Sequence, residues 1–335
     1  MNRKKLFSGV AALLLSVGAH AGELNVMAYN IMQLSNLQDW DQAERAARLP
    51  TAIADMDTQP DIILVSEAFN AEAEQAMNQL ANLYPYQTPN VGQDCSGEGW
   101  DALTGDCSNS PFVVRGGVTI ISKYPILTQQ AHIYNNSLRG SWDYQANKGF
   151  AYAKIDKNGE IFHLIGTHLQ ATHDGMSDEE HEVRLGQLGE IKQFISNKDI
   201  PTDEPVIVGG DMNVEWSRQD EIKDMKAALN GALRFSEPEV TSFSAEHNWF
   251  TKANAYHFEY DLNYNTTLDY ILWSRDHGKP VNQPQMQVVR LKAKDSWYWD
   301  YLEGEWPQEA GQTYHDGYYN ELSDHYPVMI QFKYQ

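Results

Sequence analysis

Apolar residues along this chain follow two periods, one suited to strands and one to helices. Leu24 to Met32 (LNVMAYNIM) alternates, predicting a first strand that brings Asn30 to its end. Asp61 to Ser66 (DIILVS) and Val206 to Val208 lack that alternation, so both predict strands buried on two faces. Gly117 to Ser122 and Ile126 to Ile133 predict strands joined by a turn at Lys123-Tyr124-Pro125. Gly149 to Ile155 and Ile161 to Leu169 predict a hairpin around Lys157-Asn158-Gly159. Shorter strands are expected at Thr267 to Trp273, Gln287 to Leu291 and Tyr326 to Phe332. Helical spacing marks Asp41 to Met56, with a kink or restart at Pro50, then Ala71 to Leu83 and Asp220 to Asn230. The clearest helix is Ser177 to Asn197, where Ser177 and Glu180 have capping-box spacing ahead of an apolar stripe from Val183 to Ile195. With no repeat and no linker, the pattern implies an α+β fold: two packed sheets flanked by helices in a single domain over 22–335.

The first residues change the picture of where the protein works. Arg3, Lys4 and Lys5 precede an apolar run from Leu6 to Val17, followed by Ala19-His20-Ala21. That is the pattern of a cleaved secretory signal peptide over 1–21, too short to span a bilayer comfortably. The chain has 25 basic and 46 acidic residues, a formal charge of −21. Losing a leader that carries three of those basic residues deepens the negative charge. Such a balance opposes non-specific binding to nucleic acid and docking on anionic lipid. Cys95 and Cys107 both sit in the Gly-rich stretch from Gly92 to Ser110. In an exported protein they are expected to form a disulfide, contributing about 3 kcal/mol by closing a short loop.

Candidate chemistry gathers where strands stop. Asn30 ends the first strand, Glu67 the second, and His168 follows Leu164 to Thr167. Pro205 to Asn213 (PVIVGGDMN) carries an apolar run into two glycines, then a carboxylate and a carboxamide two positions apart. In a strand path Asp211 and Asn213 would share a face, and Gly209 and Gly210 would allow a close approach to the backbone. Asp269 lies in Thr267 to Leu272, and Asp324 and His325 in Ser323 to Pro327. Singly, each is an ordinary strand-end or turn residue. The set contains no G-x-S-x-G elbow, no Cys/His zinc spacing and no H-E-x-x-H. Hard oxygen donors such as Glu67 and Asn30 favour Mg²⁺ with retained waters.

NIMQL, VSEAF, GGVTIISKYPI, NKGFAYAKI, IGTHLQA, GGDMNV, TLDYI and LSDHYP occur in this order between Leu24 and Phe332. The series resembles the DNase I-like metal-dependent phosphodiesterases and, within them, the secreted bacterial neutral sphingomyelinases C. The resemblance implies a DNase I-like four-layer α/β sandwich, two mostly antiparallel sheets face to face, with one cleft at the strand ends. It implies Mg²⁺, with Mn²⁺ or Co²⁺ able to take its place, held by Glu67 with Asn30 in or next to its shell and Asp324 at the metal site while bracing the final loop. It makes His325 the base that activates water, oriented by Asp269. His168 would neutralise or protonate the phosphate, Asn213 would hydrogen-bond it, and Asp211 would hold the water or the metal. The expected reaction is hydrolysis of sphingomyelin to ceramide and phosphocholine by a monomeric enzyme acting peripherally on a sphingomyelin-containing membrane, with no nucleic-acid partner.

Trp297-Tyr298-Trp299, Trp306, Tyr314, Tyr318 and Tyr319 form a dense aromatic region. Trp and Tyr suit a bilayer interface and can receive a choline group by cation–π contact. The same residues suit a hairpin whose rings pack on the sandwich. Two alternative functions share the motifs: a secreted nuclease on the same scaffold, and a membrane-binding toxin with a vestigial site.

Overall fold

Alternation along strand β1 (Gly22–Gln33) sorts its side chains between two cores. Leu24, Val26 and Ala28 face a second sheet, whereas Met27, Tyr29 and Ile31 face helices on the outside. The computed structural model describes residues 22–35, 40–109, 115–173, 178–257, 261–299 and 317–335.

The strands continue as β2 (Ile62–Ala68), β3 (Tyr86–Gln87), β4 (Ala102–Gly105), β5 (Thr119–Ser122) and β6 (Ile126–Ile133). The hairpin is β7 (Gly149–Lys157) and β8 (Glu160–His168), and the glycine-ended strand is β9 (Val206–Asp211). Then come β10 (Leu233–Arg234), β11 (Phe243–Ser244), β12 (Asn265–Thr266), β13 (Asp269–Ser274), β14 (Gln287–Val288), β15 (Lys292–Tyr298), β16 (Tyr318–Glu321) and β17 (Val328–Tyr334). One six-stranded sheet has the order β14-β17-β1-β2-β5-β3 and is antiparallel except between β1 and β2. The other, seven-stranded, runs β10-β13-β9-β8-β7-β6-β4 and is parallel only at β8/β9 and β4/β6.

Three apolar cores separate four layers. Helices α1 (Gln42–Ala54) and α2 (Ala71–Leu80) cover the six-stranded sheet through Leu49, Ile53, Ala73 and Met77. Leu64, Ile120, Leu164, Ile207 and Ile271 fill the space between the sheets. After the short α3 (Trp142–Gln145), helices α4 (Asp178–Asn197) and α5 (Gln219–Leu229) cover the seven-stranded sheet through Leu188, Ile191, Ile222 and Met225. Helix α6 (Trp249–His257) lies beside β16. This is the four-layer α+β sandwich that the strand pattern and resemblance imply.

Of three local expectations, the restart at Pro50 and the surface tryptophans need revising, and the third falls outside the described residues. Helix α1 runs through Pro50 as one element and closes at Asp55, whose N–H donates to Thr51 O at 3.0 Å. The proposed cap Ser177 lies outside the described residues. The surface role expected of Trp297 and Trp299 does not fit their burial, 5% and 4% exposed. Trp299 stacks on Phe250 with centroids 5.0 Å apart, and the Trp297 indole N–H donates to Asp41 Oδ2 at 2.5 Å under the Arg48 guanidinium. Apolar area available from α1 and α6 drew both rings inward. Tyr298 and Tyr318 remain outside at 45% and 54% exposure, while Trp306 and Tyr314 lie outside the described residues. Cys95 and Cys107 are joined, as expected, with Cα atoms 5.7 Å apart.

Candidate active site

Register places the site. In the seven-stranded sheet His168 pairs with Asp211 across β8/β9, and Asp211 pairs with Asp269 across β9/β13. Three residues far apart in sequence thus stand in one row at the sheet's end. Gly210 permits the row: a Cβ there would meet Thr167 O at 1.9 Å, and its φ is +146. The group approaching closely is therefore strand β8, where a ligand was also conceivable.

His325 completes the row from the loop before β17. Its Nδ1 lies 2.8 Å from Asp269 Oδ2, which also accepts from the Ser242 hydroxyl at 2.6 Å. With Nδ1–H donating to the carboxylate, Nε2 faces Asp211 Oδ2 at 3.8 Å, accepting when the ring is neutral and donating when it is charged. Burial pulls the imidazolium down, but the Asp269, Asp324 and Asp211 carboxylates outweigh it and hold His325 well above the ordinary range.

The six-stranded sheet contributes Asn30 and Glu67. Asn30 is fully buried and donates from Nδ2 to Asp211 Oδ2 at 2.9 Å, joining the two sheets' strand ends. Glu67 takes a left-handed backbone, φ 57, as β2 ends. Its carboxylate stays 17% exposed at the rim, 3.8 Å from His168 Nε2. Burial, then repulsion from Asp324, pushes Glu67 up to about 7; burial likewise raises Asp211 to about 6.

His168 is held by a lysine that motif reading passed over. Lys148 is 4% exposed and spends its ammonium on Asp143 Oδ1 at 2.9 Å, Leu169 O at 3.1 Å and His168 Nε2 at 3.0 Å. Receiving that donor, Nε2 carries no proton, and Nδ1 has no hydrogen-bond partner among the described residues. Burial and the neighbouring ammonium hold His168 well below the ordinary histidine range. Lys148 falls within NKGFAYAKI, but nothing in that segment distinguishes a buried lysine from the exposed kind.

Asn213 belongs to the site by a different route from the one expected. The strand ends at Asp211, and Asn213 turns left-handed at φ 49. Its N–H returns to Asp211 Oδ1 at 2.9 Å, and its amide donates to Leu169 O at 3.1 Å. Asp324 is drawn into bracing: its carboxylate accepts from Asn254 Nδ2 at 3.1 Å. Among the described residues it joins neither group able to hold a cation, which are Glu67, His168 and Asp211, and Asp211, Asp269 and His325.

The donor set at Glu67 fits a hard divalent cation. Glu67 and Asp211 offer carboxylate oxygens with Asn30 beside them, and both acids are crowded enough to hold protons near neutrality. A small octahedral ion that keeps most of its waters needs only one or two such carboxylates. Cations at acids raised in this way lower the cost of ionising them.

A two-sheet sandwich with acids, amides and imidazoles at one mouth defines a metal-dependent phosphoesterase of the DNase I-like kind. The family model for the endonuclease/exonuclease/phosphatase family matches residues 27–325. Sphingomyelinase C of Listeria ivanovii is 34% identical, covering 92% of this chain and 86% of its own. Sphingomyelinase C of Bacillus cereus is 35% identical, covering 96% and 92%. Among solved structures, sphingomyelinase C from Streptomyces griseocarneus superposes with TM-score 0.76 at 32% identity, over 93% of this chain and 99% of that one. A beta toxin mutant from Staphylococcus aureus with bound magnesium ions gives 0.75 at 31%, over 92% and 99%. The chain belongs to the endonuclease/exonuclease/phosphatase family and, within it, to the sphingomyelinases C.

Proposed function

We propose that this protein is an exported, Mg²⁺-dependent phosphodiesterase that hydrolyses sphingomyelin to ceramide and phosphocholine. The observation that carries this reading is the row His168, Asp211, Asp269 with His325 and Glu67 around it, in a chain aligned with sphingomyelinases C along nearly all their length. Glu67 and Asn30, with Asp211 beside them, would hold the cation. Bound there, Mg²⁺ would offset charge on the phosphodiester.

His325 Nε2 takes a proton from the attacking water, and Asp269 keeps the ring oriented and stabilises its charge. Asp211, 3.8 Å from that nitrogen, accepts the second hydrogen of the water and fixes its approach. On the phosphate side Lys148 supplies positive charge and is held by the neutral His168 ring through Nε2, while the departing ceramide oxygen takes its proton from solvent. Asn213 adds a neutral donor to a phosphate oxygen.

No helix among the described residues is long and apolar enough to cross a membrane. Contact with the lipid surface is assigned to the exposed Tyr298 and Tyr318, whose rings meet edge to face at 5.5 Å. Residues 1–21 are assigned as the leader, and N-terminal sequencing of exported protein checks the cut after Ala21.

The deciding assay incubates purified protein separately with sphingomyelin, phosphatidylcholine and DNA, each with Mg²⁺ or with EDTA. Phosphocholine release from sphingomyelin with Mg²⁺ alone is the expected result. DNA cleavage in place of lipid hydrolysis would assign the scaffold to a nuclease. A cell-lytic effect insensitive to EDTA, without product, would make the site vestigial.

A further inference from the structure

Arg45, on α1, is fully buried beneath the site. Its Nη1 donates to Ile31 O at 3.0 Å and Leu322 O at 3.1 Å, its Nη2 to Met32 O at 2.6 Å, and its Nε to Trp40 O at 2.9 Å. The guanidinium lies 5.2 Å from the centre of the Phe250 ring. Two of these carbonyls directly follow Asn30, and a third precedes Ser323-Asp324-His325.

We propose that Arg45 is a positioning residue for the reaction: its fork sets the separation between the strand end that carries Asn30 and the loop that carries His325. The inference rests on the functional reading of those two residues given above.

The end of β1 needs holding. Its pairing with β2 shifts register between Asn30 and Gln33, and Met32 is left-handed at φ 48. A bulge of this kind re-aims a side chain, and a left-handed non-glycine residue persists only when its surroundings enforce it. Here the Met32 N–H donates to Asn30 Oδ1 at 3.0 Å, which turns Nδ2 toward Asp211. Arg45 takes the carbonyls on the outer side of the same bulge. The Ser323 hydroxyl closes the gap from within, donating to Asn30 O at 2.7 Å and accepting from the His325 N–H at 3.1 Å.

A planar cation with five donors can satisfy several carbonyls that diverge in one plane; an ammonium at the end of a flexible stem cannot hold the same set. Arg45→Lys therefore keeps the charge and loses the spacing. Misplacing reacting groups by about 1 Å can cost ~10²-fold in rate, so a small relaxation would register in kcat.

The test compares Arg45→Lys, Ser323→Ala and the double variant with His163→Gln, a buried change near the middle of β8. All are assayed on micellar sphingomyelin with saturating Mg²⁺, alongside thermal unfolding. Arg45→Lys should lower kcat at least ~10-fold with KM within about twofold. Ser323→Ala should lose less, and the double variant should lose less than the product of the two, because both act on one spacing. Amide exchange should rise together at 30–33 and 322–325 in Arg45→Lys, a readout that needs no substrate. Should Arg45→Lys fail to fold, Ser323→Ala carries the test alone through kcat and exchange. The proposal is overturned if folded Arg45→Lys loses no more kcat than His163→Gln at matched thermal stability, or if losses multiply independently. It is equally overturned if Ser323→Ala keeps wild-type kcat and exchange. A wild-type protein inactive on sphingomyelin would sink the functional reading, while coupled exchange at the two segments would still establish the clamp.

Discussion

Strand β8 carries two buried histidines, one near its middle and one at its end, and the two have opposite surroundings. His163 is 2% exposed, with Nδ1 at 2.7 Å from the Tyr152 hydroxyl and Nε2 at 2.6 Å from Glu204. Both ring nitrogens are satisfied, so the group contributes to the fold and has nothing left to offer a ligand. His168 is 1% exposed, with one nitrogen unpartnered, the other on a lysine, and two carboxylates at 3.6 and 3.8 Å. Burial alone separates structural from functional residues poorly. An incomplete set of partners of mixed charge, such as the lysine and two carboxylates around His168, marks a candidate functional group.

The sharpest way to break that contrast is at the row itself. His325→Ala should lower kcat by at least ~10²–10⁴-fold while circular dichroism and gel filtration stay native. Turnover near wild type in a folded variant would remove His325 from the chemistry. Next, Lys148→Met should reduce kcat/KM on the order of 10²-fold and also lower stability, since it leaves Asp143 buried without its cation. An activity loss with unchanged thermal stability would show that the ion pair does not support the fold.

Cation binding offers a finer test. Glu67, raised to about 7, must shed its proton to ligate, so Mg²⁺ affinity should weaken as pH falls below about 7, by ~10-fold per unit, and level off above it. Calorimetric titration at pH 6 and pH 8 checks this; equal affinities would show that Glu67 is already ionised at pH 6, and unchanged Mg²⁺ binding in Glu67→Ala would take it out of the ligand set. At the opposite pole, His163→Gln should cost about 1–3 kcal/mol in stability and leave kcat within about twofold.

The smallest effect concerns neither histidine. Glu190, beside His132 and accepting from the Asn135 and Asn136 N–H groups, is depressed to about 2 by these bonds against the opposing pull of burial. A depressed carboxylate stabilises above its unfolded value, and the contribution disappears as pH falls from about 4.5 toward 2. Glu190→Gln should flatten that part of the stability profile by lowering the neutral plateau, on the order of 2 kcal/mol, toward the acid value.

Most elements were legible because their periods were clean. Strands β1, β6, β7, β8 and β9 and helices α1, α2, α4 and α5 lie where alternation or helical spacing put them, within a few residues at their ends. The short strands β3, β4, β10, β11 and β12 were not foreseen, since two to four residues carry no period. Helix α6 was missed for another reason: Trp249 to His257 mixes aromatic and polar residues without a one-sided stripe. The residues expected to converge did so, with Asp324 on the bracing side of the loop. Lys148, Asp143 and Arg45 stayed hidden because a buried cation reads like any surface cation until its partners are placed.

Chain order and side-chain chemistry by themselves determined the layers, the strand ends where acids, amides and histidines would stand, and the kinship with phosphoesterases. Tertiary structure alone decided which of them meet, because register between β8, β9 and β13 joins His168, Asp211 and Asp269 across a hundred residues of chain. It also turned Met32 and Glu67 left-handed, a conformation their own side chains disfavour and only surrounding contacts can impose. The two central tryptophans of the aromatic stretch went inward for the same kind of reason: where a ring ends up depends on the apolar area offered by its neighbours in space.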